Sequence, residues 1–125
     1  LRGSETVLVV EDEPAILEIV ELLLRQTGYE VLAAASPGAA LRLAVERGGA
    51  IDLLLTDVVM PEMDGRELAR RLEADRPGLK RLFMSGHAAD IVADHGLADG
   101  EANFIAKPFT MDQLLAKVRE TLGKG

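Results

Sequence analysis

The chain has no cysteine and no tryptophan. Without thiols there is no disulfide framework, no thiolate nucleophile and no cysteine-held zinc or iron–sulfur centre. Its aromatics are three Phe and one Tyr, too few for a platform on which bases stack in series. Positive charge is also short. Fourteen Lys and Arg against 21 Asp and Glu give a net charge of −7, the wrong sign for tracking a nucleic-acid backbone. No apolar run reaches the roughly 20 residues that cross a bilayer, and no signal-peptide pattern opens the chain. What these absences leave is an acidic, soluble domain, expected in a cytoplasmic setting with no nucleic-acid or membrane partner. A length of 125 residues suffices for one full core, since a domain of roughly 150 residues hides about 70% of its unfolded surface. Residues 1–4 read as linker or cloning scar, 5–122 as the domain and 123–125 as a tail. A start other than Met suggests an excised piece.

What is present is an alternation. Thr6-Val7-Leu8-Val9-Val10 is apolar without polar interruption, the mark of a strand covered on both faces in a parallel sheet. Pro14 suits the first turn of a helix, where its missing N–H costs nothing. Ile16, Val20, Leu23 and Leu24 recur at helical spacing until Gly28. The pattern then repeats: a strand at Val31 to Ala34, and a helix from Ser36-Pro37 carrying Ala40, Leu41, Ala44 and Val45 to Gly48-Gly49. Ile51 to Thr56 is the third strand, and Asp64 caps a helix with Leu68 and Leu72 that closes before Pro77-Gly78. Arg81 to Met84 and Asn103 to Ala106 are the fourth and fifth strands, and Thr110 leads a last helix from Met111 to Leu122. His87 to His95 reads as a short fourth helix weakened by Gly86, Gly96 and Gly100.

Strands alternating with helices over short connections make right-handed βαβ units and an open parallel sheet. Ligands of such sheets bind beyond the carboxyl ends of the strands. That rule selects Glu11, Asp12 and Glu13 after strand one, Asp57 after strand three, Ser85 after strand four and Lys107 after strand five. With strand order 2-1-3-4-5, Asp12 and Asp57 lie within a few ångströms, with Glu11 beside them. Carboxylates that close need a counter-charge, and Mg²⁺ favours a few carboxylates plus waters and a phosphate oxygen. Each acid taken alone has an ordinary alternative as a helix or turn cap. Together with Lys107, a point charge for a phosphoryl oxygen, and Ser85, a hydroxyl donor, they suggest phosphoryl chemistry. Lys107-Pro108 can adopt cis, which would aim the lysine across the site. An ordinary trans bond with a surface lysine is the alternative.

Val7-Leu8-Val9-Val10-Glu11-Asp12-Glu13-Pro14, Asp57-Val58-Val59-Met60-Pro61-Glu62-Met63-Asp64-Gly65, Met84-Ser85-Gly86 and Lys107-Pro108-Phe109 resemble the CheY-like response-regulator receiver domain of two-component signalling. The resemblance covers about residues 5 to 122. It implies a flavodoxin-like (βα)5 fold, a doubly wound parallel sheet with helices on both faces. It also implies that Asp57 is the phospho-acceptor, fed by a histidine kinase, a histidine phosphotransfer domain or a small acyl phosphate. By the same resemblance Asp12 is the direct Mg²⁺ ligand, Glu11 its outer-shell partner and the Val59 carbonyl a third contribution. Ser85 and Lys107 resemble the residues that grip phosphoryl oxygens, and Phe104 stands where the family has its rotating switch aromatic. Phosphorylation would then reshape the face of the fourth helix, fifth strand and last helix. A domain of this kind catalyses its own phosphorylation and dephosphorylation.

The chain departs from the family's commoner pattern at Glu11, where Asp is more frequent, and at Phe104, where Tyr would offer a hydroxyl. Plain core packing is the other reading of Phe104. Apolar Val59 is expected to hinder a water attacking the phosphate, with His87 ordering or shielding that water. His95 reads as a surface residue without a role. The first helix has apolar residues to spare, so Leu17 or Leu22 is expected at the surface, suited to a histidine-bearing helical partner; a helix covered by its neighbours is the other reading. Arg66, Arg70, Arg71, Arg76, Lys80 and Arg81, six of the fourteen basic residues, read as a solvated face.

Rival functions fit less well. A flavin binder wants a phosphate loop after strand one, which Glu11-Asp12-Glu13-Pro14 opposes electrostatically. A Mg²⁺ phosphatase with an Asp nucleophile wants a second acid where Val59 stands. Within the receiver family, a stand-alone single-domain regulator and a partner-binding pseudo-receiver are both compatible with this length. The Leu82 to His87 and Lys107 to Thr110 stretches look most like the C-terminal receiver of a hybrid histidine kinase.

Overall fold

The computed structural model describes residues 3–86 and 103–123. The expected helix at His87 to His95 lies outside the described residues, as do both histidines. In chain order the elements are β1 (Thr6–Val10), α1 (Pro14–Gln26), β2 (Glu30–Ala34), α2 (Pro37–Arg47), β3 (Leu53–Asp57), α3 (Gly65–Asp75), β4 (Lys80–Ser85), β5 (Asn103–Ala106) and α4 (Met111–Leu122). The five strands form one parallel sheet in the order β2-β1-β3-β4-β5, the doubly wound topology expected from the alternation.

Side chains alternate across each strand, and here they divide the core in two. Leu8, Val10, Leu54 and Phe83 point to one face, where Ala40 and Ala44 of α2 and Leu68, Ala69 and Leu72 of α3 cover them. Val7, Val9, Leu53, Leu55, Leu82, Met84 and Ile105 point to the other, under Val20 and Leu24 of α1 and Leu114 and Val118 of α4. Two covered faces explain why β1 and the Leu53-Leu54-Leu55 stretch of β3 read as continuous apolar runs. Burying each such side chain is worth roughly 1.5–3 kcal/mol.

Helix starts follow local chemistry. Pro14 and Pro37 occupy first turns, and the Ser36 hydroxyl accepts from Ala39 N–H at 3.1 Å. The Asp64 carboxylate accepts from Arg66 N–H at 2.7 Å. Thr110 and Gln113 form a reciprocal capping box at α4.

One expectation needs correction. Val45 does not face the core: it is 79% exposed, and Leu43 packs there instead, partly buried beside Leu41. On α1, of the two candidates Leu17 and Leu22, it is Leu22 that is exposed, while Leu17 packs against the core; Ile19, unremarked in the sequence, is 58% exposed. The basic group around α3 lies at the surface as expected, with Arg70, Arg71 and Lys80 exposed, and much of it is paired: Arg66 with Asp64, Arg70 and Arg71 with Glu67, and Arg81 with Glu73. Arg76 donates to the carbonyls of Ala44 and Gly49, tying the end of α2 to the end of α3. Gly3, counted with the linker from sequence, donates its N–H to the Thr27 carbonyl at 3.1 Å. No helix among the described residues is long and apolar enough to cross a membrane.

Candidate functional site

The sheet register fixes the site. Val10 pairs with Thr56, so the next residues, Glu11 and Asp57, stand side by side beyond the ladder. Glu11 N–H donates to the Ala34 carbonyl at 3.1 Å, which extends the β1–β2 ladder by one rung and draws Glu11 inward. Ser85 pairs with Ala106, and Lys107 N–H donates to the Ser85 carbonyl at 2.8 Å, so Lys107 comes level with the acids. The Lys107–Pro108 bond is cis.

Glu11, Asp12 and Asp57 each offer an oxygen within 4.8 Å of the others. That is comparable to the roughly 4 Å across an octahedral Mg²⁺ shell with bonds of about 2.1 Å, so the donor set fits a small hard cation. Lys107 Nζ reaches into the same group, donating to Glu11 Oε1 at 2.6 Å and to Asp57 Oδ2 at 3.3 Å. The three acids differ in setting: Glu11 is buried, Asp57 partly buried and Asp12 exposed. Loss of water around Asp57 raises its pKa above the usual carboxylate range, against the pull of Lys107. Burial likewise raises the pKa of Glu11. Around Lys107 burial disfavours the ammonium, yet its bonds to Glu11 and Asp57 prevail and raise its pKa.

A cavity of about 280 Å³ opens at this point, lined by Asp57, Val59, Ser85, Gly86 and Lys107. The sequence-selected residues Glu11, Asp12, Asp57, Val59, Ser85 and Lys107 therefore share one site. Phe104 does not line it. Its ring lies 5.7 Å from that of Phe83, half-buried against the core under α2 and α3.

Two contributors escaped the sequence reading. Gly65 opens α3 so close to the acid that an added Cβ would collide with the Asp57 carbonyl oxygen, and its N–H donates to the Val58 carbonyl at 2.7 Å. A glycine between a cap and a helix was the available signal. The second is a larger apolar groove of about 440 Å³ between α1 and the turn after β5, lined by Ile16, Ile19, Val20, Lys107, Pro108 and Phe109. Lys107 borders both hollows.

Comparison with known proteins bears on the family to which the fold belongs. The family model for the response regulator receiver domain matches residues 7–119. The sensor kinase CckA of Brucella abortus is 45% identical over 124 residues, which is 99% of this chain and 13% of that kinase. The chain thus spans a small part of that relative. Among solved structures, the receiver domain of hybrid histidine kinase CckA superposes with a TM-score of 0.79 at 35% identity, covering 94% of this chain and 99% of the other. TrrA of Thermotoga maritima, in complex with Mg²⁺ and BeF, gives a TM-score of 0.77 at 28% identity, over 94% and 98%. A shared fold and a family match along most of the length lead to one conclusion: the chain belongs to the response regulator receiver domains of two-component signal transduction.

Proposed function

We propose that Asp57 accepts a phosphoryl group in a Mg²⁺-assisted transfer. The observation that carries this is selective access: of the acids at the strand ends, Asp57 opens into the cavity that Ser85 and Lys107 also line, whereas Glu11 is sealed. An Asp57 oxygen attacks the phosphorus of a phosphohistidine or a small acyl phosphate and forms an aspartyl phosphate, as the donor's P–N or P–O bond breaks and the imidazole or the carboxylate leaves with the bonding electrons. Asp12 and Asp57, with the Val59 carbonyl, are the groups that would hold the cation, and Glu11 would add its charge from behind them. The bound ion supplies charge compensation for the transferring group. Lys107 and Ser85 take up phosphoryl oxygens, holding donor and acceptor in line. The Mg²⁺ and BeF complex of TrrA, a relative of the same fold, supports this reading.

The switch follows from charge. Ser85 moves toward the phosphate, Phe104 turns into the space it leaves, and the face of β5 and α4 changes shape. Hydrolysis, also performed by the domain, resets it. The donor is a histidine kinase or a histidine phosphotransfer domain whose helix seats in the groove between α1 and Phe109, since Lys107 joins that groove to the acceptor. Likeness to CckA supports a parent hybrid histidine kinase working in the cytoplasm, with residues 5–122 as its receiver.

Intact mass after incubation with acetyl phosphate tests the chemistry. One phosphoryl adduct is expected, dependent on Mg²⁺ and absent in Asp57→Asn. If neither acetyl phosphate nor a phosphorylated histidine donor leaves an adduct, the acceptor role of Asp57 is wrong and the chain is a partner-binding pseudo-receiver.

A further inference from the structure

Glu11 is the most deeply buried acid of the site, with 1% of its surface exposed. Both of its oxygens are engaged by the chain itself. Oε1 accepts from Lys107 Nζ at 2.6 Å, and Oε2 accepts from Glu13 N–H at 3.0 Å. Asp57, the acid that a phosphoryl-gripping lysine is meant to serve, is the more distant partner of Lys107 at 3.3 Å. The ammonium is therefore held chiefly by the acid that is not the acceptor.

The extra methylene of Glu11 makes this arrangement reachable. Its backbone is fixed by the bond to the Ala34 carbonyl, so reach toward Lys107 comes from side-chain length alone. A shorter acid at this position would set its carboxylate one C–C bond further back, weakening its hold on the ammonium relative to that of Asp57. Beside Asp57 the ammonium would compete with a cation for the same oxygens, because two positive charges cannot share one carboxylate without mutual repulsion.

We propose that Glu11 is a positioning residue that parks Lys107 beside Asp57, keeping the acceptor and Asp12 open to a divalent cation until a phosphoryl group arrives. Once Asp57 carries the phosphoryl group, its added negative charge outbids Glu11 for the ammonium, and Lys107 crosses the short gap to a phosphoryl oxygen. The proposal rests on the reading of Asp57 as acceptor, but the parking of Lys107 can be tested separately.

Mg²⁺ titrations followed by backbone amide NMR, on the wild type, Glu11→Gln, Lys107→Met and the double variant, separate the alternatives. If Glu11 holds Lys107 off Asp57, Glu11→Gln weakens Mg²⁺ binding roughly tenfold more in the Lys107 background than in the Lys107→Met background, a coupling within the usual range for contacting residues. An equal loss in both backgrounds would place Glu11 on the cation alone and overturn the proposal. A metal-free arm guards against variants that bind poorly for other reasons. The Lys107 ammonium resonance is expected to move more on Glu11→Gln than on Asp57→Asn, and the reverse order would also overturn the proposal. A wild type that binds no Mg²⁺ yet keeps that order would sink the phosphoryl-site reading and still support the parking of Lys107.

Discussion

At the scale of single residues, the site is governed by side-chain length and exposure rather than by residue type alone. Val59 is 61% exposed and borders the same cavity as Asp57, so it stands where a hydrolytic water would approach. A valine offers that water no hydrogen bond. Val59→Asn is expected to speed loss of the phosphate roughly fivefold, the rate equivalent of one hydrogen bond worth about 1 kcal/mol, as read from the decay of the phosphorylated mass; an unchanged decay would show that Val59 does not control the water. The identities of Glu11, Asp12, Asp57, Ser85 and Lys107 were legible because each ends or follows a strand, and strand ends are where a parallel sheet places its chemistry. The Glu11–Lys107 bond was not legible. It joins residues 96 apart in sequence and depends on one methylene of reach, which no spacing pattern encodes. Gly65 was hidden for a similar reason, since its role lies in what a Cβ would strike.

At the scale of elements, strands were easier to read than helix faces. Val7 to Val10 have no exposed surface at all, and a segment buried on both sides announces itself in composition. A helix buries only a stripe, and the edge of that stripe depends on what lies across from it. Hence Val45 fits the helical core pattern yet faces solvent, and nothing in the spacing of α1 singles out Ile19. The exposed pair on α1, Ile19 and Leu22, has a test of its own. Both are more than half exposed, so serine at these positions should leave the unfolding midpoint nearly unchanged. Against a phosphorylated histidine donor, the Ile19→Ser, Leu22→Ser double variant is expected to lose about tenfold in kcat/KM, the rate equivalent of about 1.4 kcal/mol of lost apolar burial. With acetyl phosphate, which needs no docking surface, the rate should stay at the wild-type value. Equal losses with both donors would remove α1 from partner recognition.

At the scale of the whole molecule, an ion pair joins the residue before the first element to the last element. Arg119 of α4 donates to Glu5 at 2.5 and 3.2 Å, to the Tyr29 hydroxyl at 3.5 Å and to the Gly123 carbonyl at 2.9 Å. The bonds from Arg119 hold the Glu5 carboxyl at a pKa of about 2, below its ordinary 4.5. A lowered folded-state pKa means stability that is complete above pH 4.5 and lost as pH falls toward 2. The gap in urea midpoint between wild type and Glu5→Gln should therefore be full at neutral pH and narrow progressively below 4.5. A gap that held constant down to pH 3 would mean that the pair contributes nothing through charge.

The same pair has a consequence for how the domain is wired into a larger chain. Glu5 precedes β1 and Arg119 lies near the end of α4, so both ends of the described domain emerge at the edge of the sheet where its strands begin. The carboxylates lie at the opposite edge, where the strands end. Polypeptide attached to either terminus leaves from the far side, and the domain can be spliced into different proteins, as a plug with both wires at its back, without covering its reactive face.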